Sequence, residues 1–279
     1  MILFIKIIGG GRSTNGITII PCVFPEDFQT TADIENTKQI RQAEDSIINI
    51  VGGWVLNVFD NEFTRDNELN ALEVLPGSFK MRPSLDGIIK DCVAIMNITR
   101  PRIFVKSMDK LEACTFNINN PSVLLHVKIM DDCTDAELRF IIGREFGHIK
   151  CGHTRMMMLV AAVENNSSLT MKLIKPLFTV LLEACREAQL SADNAGLLCC
   201  QDLAAAEQVI IRTTCGFERR NVGELDVEAF LRQNMHNENT NKAPPLKDLF
   251  RSRHFATTRI LSLREYAASE RYQKVLERK

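Results

Sequence analysis

The sequence predicts an α+β fold that is mainly helical, and three observations lead to this expectation. The chain has 279 residues, of which 45% are hydrophobic, and this allows a sizeable core. Several long segments carry apolar residues at the three-to-four spacing of amphipathic helices. The five short apolar runs that predict strands all lie in the first half of the chain.

The strand predictions depend on five short apolar runs. In chain order, these runs are "ILFIKII" (2–8), "ITIIPCVF" (17–24), "GGWVLNVF" (52–59), "RIFVK" (102–106) and "VLLHVKIM" (123–130). The loop "GGGRSTNG" between the first two lacks the glycine spacing of a phosphate-binding loop, so we interpret it as a hairpin loop. "NINNP" predicts a turn before the last run.

The clearest helix start lies at Thr134. Its hydroxyl offers an N-cap, and Glu137 three residues later completes a capping box. A long helix should begin there and continue through the stretch "ELRFIIGREFGHIKCGH" (137–153). A polar break follows at 164–168, and a second long helix is expected at about 170–200.

The remaining helices are also predicted from apolar periodicity. They are residues 84–98, "DLAAAEQVIIRTT" (202–214), "DVEAFLRQ" (226–233) and a charged helix at about 256–277, with a weaker helical period at 26–48. The arginines of the last helix alternate with glutamates, which is typical of a solvated face. "NENTNKAPP" (237–245) is the only stretch with the composition of a linker.

Composition and charge exclude several classes of function. The net charge is -1, so no global field would recruit nucleic acid or an anionic membrane. The nine cysteines include no C-x-x-C pair, a usage that fits a reducing compartment. No window reaches the roughly 18 uninterrupted apolar residues of a membrane span. We therefore expect a cytoplasmic protein with no membrane span and no nucleic-acid partner.

One pattern in the long helix points to chemistry. Arg144-Glu145-Phe146-Gly147-His148 differs by one residue from the H-E-x-x-H pattern of zinc peptidases. In that pattern, two histidines four residues apart bind one zinc ion and the glutamate polarises a zinc-bound water, while a third ligand comes from another element. Here the first histidine position holds arginine, whose guanidinium has no lone pair for a metal.

The surrounding residues carry a wider resemblance. The stretch 137–153 is similar to the active helix "ELRxVxxHELGHIxxGH" of the zinc metallopeptidase family that includes the HtpX heat-shock protease and the CAAX-prenyl endopeptidases. "EAQLSADNAGLLCCQD" (187–202) resembles the later E-x-x-A-D helix of that family. "SRHFATTRILSLREYAASERY" (252–272) resembles its terminal His-Pro segment, with Phe255 in place of the proline. The likeness covers roughly residues 54 to 275, in family order.

The resemblance implies a zincin-like (gluzincin) metallopeptidase domain with a small β-sheet and two central helices that cross at the active site. It predicts this peptidase-family domain over residues 54–279, with the linker-like stretch 237–245 inside it. Residues 1–53 have no counterpart in the family, and we expect them to form an N-terminal β-containing segment without an assigned role.

The resemblance also implies roles for individual residues. Glu145 matches the general base of the family, and His148 is the only retained zinc ligand. Arg144 and Gln189 occupy the other two ligand positions. The residues expected to line the cleft are Arg144, Gln189, Asp193 and His254.

With two of three ligand positions changed, the sequence predicts a catalytically inactive peptidase-fold protein, a pseudopeptidase, without a cofactor. We expect it to bind a protein or peptide in the former active-site cleft, where the strand at 123–128 would offer a sheet edge. Loss of the metal would leave Glu145 without a cation. Arg144 is therefore expected to bond a carboxylate or the amide oxygen of Gln189.

Two alternatives remain open. The first is an active zinc-dependent metalloendopeptidase that uses Glu145 as general base and holds zinc in a rebuilt site. The ligands of such a site would be His148, Cys151 and either Cys185 or Asp193. His148 and Cys151 share a helix face, whereas His153 is expected to point elsewhere. The second alternative is a structural or interaction module whose function lies in the N-terminal segment.

Overall fold

The computed structural model describes residues 23–35, 37–51, 53–77, 80–108, 113–164, 171–240 and 255–278. The helices of these residues are α1 (Pro25–Phe28), α2 (Thr31–Glu35), α3 (Thr37–Val51), α4 (Gly53–Asn70), α5 (Leu85–Met96), α6 (Ile129–Asp132), α7 (Asp135–Lys150), α8 (Thr154–Glu164), α9 (Met171–Cys200), α10 (Leu203–Cys215), α11 (Arg219–Val222), α12 (Val227–Thr240), α13 (Ala256–Ala268) and α14 (Glu270–Leu276). The strands are β1 (Leu72–Glu73), β2 (Ile103–Lys106), β3 (Ala113–Phe116) and β4 (Ser122–His126). The predicted α+β, mainly helical fold is confirmed.

The four strands form one small mixed sheet. Their order across the sheet is β1-β2-β4-β3. β2 and β4 are parallel, with Ile103 opposite Val123, while β1 and β3 pair antiparallel with their neighbours. All five residues of β4 are buried, as expected of a central strand.

The prediction that residues 123–128 form a sheet edge is wrong. β4 pairs with β2 on one side and with β3 on the other, so its backbone groups are already used. Among the described strands, the edges are β1 and β3. The sequence analysis missed β3 because "ACTF" (113–116) contains a single β-branched residue and lies only five residues before β4.

The strand predicted at 52–59 is also wrong, since residues 53–59 belong to α4. The apolar run is too short to decide between strand and helix, and the longer window decides. Residues Leu56, Asp60 and Asn67 are buried and Phe63 is half-buried, which is the spacing of one helix face. After Gly53, no glycine or proline interrupts the segment before Asn70.

Most helix predictions are confirmed. The helices predicted at 84–98, 170–200 and 202–214 correspond to α5, α9 and α10. The charged C-terminal helix is present but divides at Ser269, which caps α14 by accepting from the backbone N–H of Tyr272. Among the described residues, no helix has the length and apolar composition needed to cross a bilayer.

Several predictions fall wholly or partly outside the described residues. Residues 1–22, which hold most of the two N-terminal strands, are outside them. So are residues 165–168 of the predicted polar break and residues 241–245 of the linker-like stretch. The other end of that stretch, 237–240, is not a linker, because it forms the last turn of α12.

The centre of the fold is the contact between α7 and α9. Gly143 and Gly147 lie four residues apart on α7 and face α9. A Cβ atom at Gly143 would lie 2.5 Å from the Cβ of Cys199, and one at Gly147 would lie 2.5 Å from the Cβ of Ala195. Real Cβ atoms do not approach so closely. The two glycines therefore let α7 and α9 come closer together than side chains at these positions would permit.

The segment 23–35 packs against α9 and the C-terminal helices. The amide of Thr30 donates to Ser191 Oγ at 2.9 Å, and Asn194 donates to the carbonyl of Phe28 at 2.9 Å. Phe28 is completely buried. The predicted domain division at residue 53 stays a prediction, but this part of the N-terminal segment is folded onto the helix that carries the second motif.

The helix contact generates a stability prediction. Gly147→Ala should lower the free energy of unfolding by about 1–3 kcal/mol, because the new methyl group overlaps Ala195. The double variant Gly147→Ala, Ala195→Gly should lose less unfolding free energy than the two single variants lose together, since the second change removes the overlap. Urea unfolding followed by circular dichroism measures both.

The matched control is Gly87→Ala in α5, where a Cβ atom would meet nothing within 4 Å. This substitution should stabilise the protein by up to about 1 kcal/mol through helix propensity. Equal stability of the Gly147→Ala variant and the parent would show that the two helices are not in close contact at this point.

Candidate functional site

Helix α7 starts at the predicted cap. Thr134 Oγ1 accepts from the amide of Glu137, and the Glu137 carboxylate accepts from the amide of Thr134. The other carboxylate oxygen of Glu137 lies 2.6 Å from Arg212 Nη2 and 2.7 Å from Arg219 Nη2. The buried acid is thus neutralised, and the start of the helix that carries the site is fixed.

The side chain of Arg144 lies between α7 and α9 and contacts three polar groups. Nη1 donates to Glu145 Oε1 at 2.5 Å, Nη2 donates to Gln189 Oε1, and Nε lies 3.3 Å from Asp193 Oδ1. Only 10% of the Arg144 side chain is exposed. The expectation that Arg144 bonds a carboxylate or the amide oxygen of Gln189 is therefore confirmed.

Asp193 is shared between two arginines. Arg259 in α13 donates to both of its carboxylate oxygens, each at 2.7 Å. Burial alone would lower the pKa of the Arg259 guanidinium, but the charges of Asp193 and Glu145 raise it above its ordinary value. The site therefore holds two arginines and two carboxylates in a buried, neutral group.

The predicted solvated face of the C-terminal arginines is wrong for three of its members. Arg259 is buried, Arg271 donates to the carbonyl of Gln29 at 2.9 Å, and Arg278 pairs with Asp27 at 2.5 Å. The alternation of charges in the sequence cannot distinguish a solvated arginine from one that reaches a partner far away in the chain.

Glu145, the residue in the position of the general base, uses both carboxylate oxygens within the protein. Oε1 accepts from Arg144, and Oε2 accepts from Thr115 Oγ1 at 2.9 Å. Thr115 lies in β3, so this bond connects the edge strand to α7. Nothing in the sequence around Thr115 indicated this contact.

The end of α7 brings His153 back against His148. Gly152 has a φ of 72°, the amide of Gly152 donates to the carbonyl of Ile149, and the amide of His153 donates to the carbonyl of His148 at 3.0 Å. These two bonds form a Schellman motif. As a result, Nδ1 of His148 and Nδ1 of His153 lie 3.1 Å apart.

The expectation that His153 points elsewhere is therefore wrong. It assumed that the helix continued past Lys150, whereas the chain turns at residues 151–153. The signal was present in the sequence, since glycine just after a helix commonly adopts the left-handed conformation that ends it. Nε2 of His153 lies 3.2 Å from Asp33 in α2, and no local pattern predicted that residue.

Two cavities adjoin these groups. One of about 30 Å³ is lined by Arg144, Arg259, Thr213 and apolar side chains, and this volume suits bound water rather than a peptide side chain. A larger one of about 340 Å³ is lined by residues that include Asp33, Glu44 and His153. His254, predicted to line the cleft, lies outside the described residues.

The residues at the site do not fit a zinc ion. Within the described ranges, no group of three or more His, Cys, Asp or Glu side chains is arranged to hold a metal. Arg144 cannot ligate a cation and repels one, and Asp193 is already paired with Arg259. Burial raises the pKa of the Cys151 thiol, which disfavours the thiolate that a metal needs.

Comparison with known proteins gives these residues a family context. The pattern of Peptidase family M48 matches residues 80–267. The plastoglobule-localized metallopeptidase 48 of Arabidopsis thaliana, a chloroplastic protein, is 27% identical over 166 residues, which is 57% of this chain and 48% of that protein. The chain thus spans about half the length of this relative. No solved structure matches the chain.

The contacts of Arg144 generate the prediction for this site. Arg144→Ala should lower the free energy of unfolding by roughly 1–3 kcal/mol, because it leaves the buried carboxylate of Glu145 without its cation. Chemical denaturation of the purified variant measures the loss. Arg220→Ala serves as the control, since that side chain is 70% exposed and its removal should change stability by less than about 0.5 kcal/mol. Equal stability of the Arg144→Ala variant and the parent would contradict a structural role for the guanidinium.

Proposed function

We propose that this chain, which belongs to peptidase family M48, is a pseudopeptidase that binds a polypeptide at the former active site and does not cleave it. The observation that carries this proposal is the position of the Arg144 guanidinium between Glu145, Gln189 and Asp193. By the family resemblance, Arg144 and Gln189 stand where two zinc ligands would be.

Charge supports this proposal. A catalytic zinc ion brings two positive charges to the site, and the carboxylates near it favour the metal. Here the same carboxylates, Glu145 and Asp193, are neutralised by Arg144 and Arg259. A zinc ion would have to displace a guanidinium that cannot lose its proton, and His148 would remain as the only ligand of the family set.

The state of Glu145 also supports it. A general base must accept a proton from a water molecule within hydrogen-bonding distance. Both carboxylate oxygens of Glu145 already accept bonds from protein donors, Arg144 and Thr115. These bonds favour a structural role for the carboxylate over a catalytic one.

The binding part of the proposal concerns β3. This strand is an edge among the described strands, and it is tied to α7 through Thr115. An extended peptide could add to β3 by backbone hydrogen bonds. Because the cavity beside Arg144 measures only about 30 Å³, such a peptide would lie along the edge without inserting a large side chain there. This step depends on fold-level analogy.

The alternative function is an active zinc-dependent metalloendopeptidase. Two observations favour it: Glu145 and His148 are retained, and the plant relative is named a metallopeptidase. The matched region covers 48% of that relative. In that case Arg144 would have to leave its present contacts on substrate binding. A role in the segment 1–53 and a cytoplasmic location stay predictions.

Metal content and cleavage together test the proposal. Purified protein, dialysed against micromolar zinc, should hold much less than one zinc ion per chain by elemental analysis, because the donor set is incomplete. Casein, an unstructured protein, should remain uncut after long incubation. The control for contaminating protease is Glu145→Gln prepared in the same way. Stoichiometric zinc with cleavage that this substitution abolishes would establish the alternative function.

Restoring the two changed ligands tests the family geometry. Arg144→His combined with Gln189→Glu should bind zinc in titration calorimetry, because three protein ligands then converge. Either change alone should bind it weakly, since two protein ligands are too few for a stable site. If the double variant folds and still binds zinc no better than the parent, Gln189 does not lie opposite His148 in the way proposed.

A further inference from the structure

The larger cavity, of about 340 Å³, lies between the N-terminal segment and the turn that joins α7 to α8. This volume is within the range of small-molecule sites in proteins. One wall is formed mainly by α3, and the other by residues between 151 and 156. Because the match to the peptidase family begins at residue 80, the family pattern does not account for the wall that α3 provides.

Helix α3 turns one face towards this cavity. Ile40, Arg41, Glu44 and Asp45 all line it, and their spacing places them on the same side of a helix. On the opposite wall Met156 is buried, while Ile40 on α3 is half-buried. The cavity thus combines apolar surface with charged groups.

Glu44 is a buried carboxylate that few protein groups compensate. It is only 6% exposed. Among the described residues it accepts no hydrogen bond, and the one cation within 4 Å is Arg155, whose Nε lies 3.7 Å from Oε2, beyond hydrogen-bonding distance. Nη2 of Arg155 lies 3.2 Å from Asp45, so two carboxylates share one guanidinium. Burial of an ionised carboxylate is costly unless it is both paired and hydrogen-bonded.

The pKa of Glu44 agrees with this geometry. Burial raises the pKa of its carboxyl group above the ordinary value, the charge of Arg155 lowers the pKa only in part, and the neighbouring Asp45 raises it. The protein therefore gives this carboxylate less positive charge than its burial requires. A cation that entered the cavity and donated hydrogen bonds would supply what is missing.

The lining favours an organic cation over a metal ion or an anion. Within the described ranges, no group of three or more His, Cys, Asp or Glu side chains is arranged to hold a metal. An anion would meet three carboxylates, those of Asp33, Glu44 and Asp45. An alkylammonium group has three donors at the end of an aliphatic stem, and both parts find partners here.

We propose that this cavity binds an alkylammonium group, which donates to the carboxylate of Glu44 while its aliphatic chain packs against Ile40 and Met156. The group belongs either to a free amine or to a lysine side chain of a polypeptide. Arg155, whose side chain is 47% exposed, competes with the ligand for Glu44. The site is independent of the proposed pseudopeptidase function, because Arg144 and Glu145 are not among the described residues that line it.

Ligand-observed nuclear magnetic resonance tests the class of ligand. In a saturation-transfer titration of the full chain at neutral pH, n-pentylamine, which is then protonated, should bind. Its uncharged analogue n-pentanol should give no saturable signal. Equal binding of the two compounds, or no binding of the amine, would overturn the proposal.

A peptide distinguishes the two sources of the group. Acetyl-Ala-Lys-Ala-amide is compared with the same peptide that has norleucine in place of lysine. If the lysine peptide binds at least as tightly as n-pentylamine, the group belongs to a polypeptide. If n-pentylamine binds and the lysine peptide does not, the ligand is a free amine. Equal binding of the lysine and norleucine peptides would contradict recognition of the charge.

Glu44→Gln tests the residue that holds the ammonium. This change keeps the shape of the side chain and removes the charge, so it should weaken n-pentylamine binding by roughly tenfold or more. The matched control is Glu62→Gln in α4, which alters an exposed carboxylate outside the cavity and should leave the affinity unchanged. Circular dichroism checks that both variants fold. Unchanged affinity in folded Glu44→Gln would refute the assignment.

Arg155→Ala should change the affinity in the opposite direction. Removal of the guanidinium leaves Glu44 without its resident cation, so n-pentylamine should bind several-fold more tightly to the folded variant. A general loss of structure around the cavity would weaken binding instead, and this distinguishes competition from damage to the fold. Unchanged or weaker binding by the folded variant would contradict the competition and, with it, the role of Glu44.

Discussion

The close approach of α7 and α9 is the constraint on which the rest of the structure depends. It is possible because Gly143 and Gly147 present no side chain where Cys199 and Ala195 lie. The residues next to these glycines are thereby brought within bonding distance of the second motif. Without this close approach of the two helices, Arg144 could not reach α9, and the charged group at the centre of the molecule would not form.

Burial of charge then determines what the site can hold. Two arginines and two carboxylates lie together with little exposure, and each carboxylate has an arginine partner. Removing water from such groups is costly unless every charge is matched. A site balanced by guanidinium groups resists replacement by a metal ion, because the arginines stay charged at any pH at which the protein is folded. The same fold can thus retain the motif while its chemistry changes.

The sequence predicted those features that depend on neighbouring residues. The capping box of Thr134 and Glu137 is set by local hydrogen bonds and is confirmed. The two predicted long helices are also present, but the predicted end of the first was wrong, because α7 ends at Lys150 and the chain turns at residues 151–153. The contact of Arg144 with α9 was predictable because the family resemblance places the two motifs together. The contacts of Thr115 and Asp33 were not, since each joins residues far apart in the chain and neither has a local signature.

The attachment of the segment 23–35 also has a consequence for the order of folding. Asp27 pairs with Arg278, and the hydroxyl of Tyr266 donates to the carbonyl of Asp27. These partners are 251 and 239 positions apart. During synthesis, residues near position 27 emerge long before α13 and α14 exist, so this segment must wait for them. The two central helices can meet earlier, and the assembly around His148 is completed last.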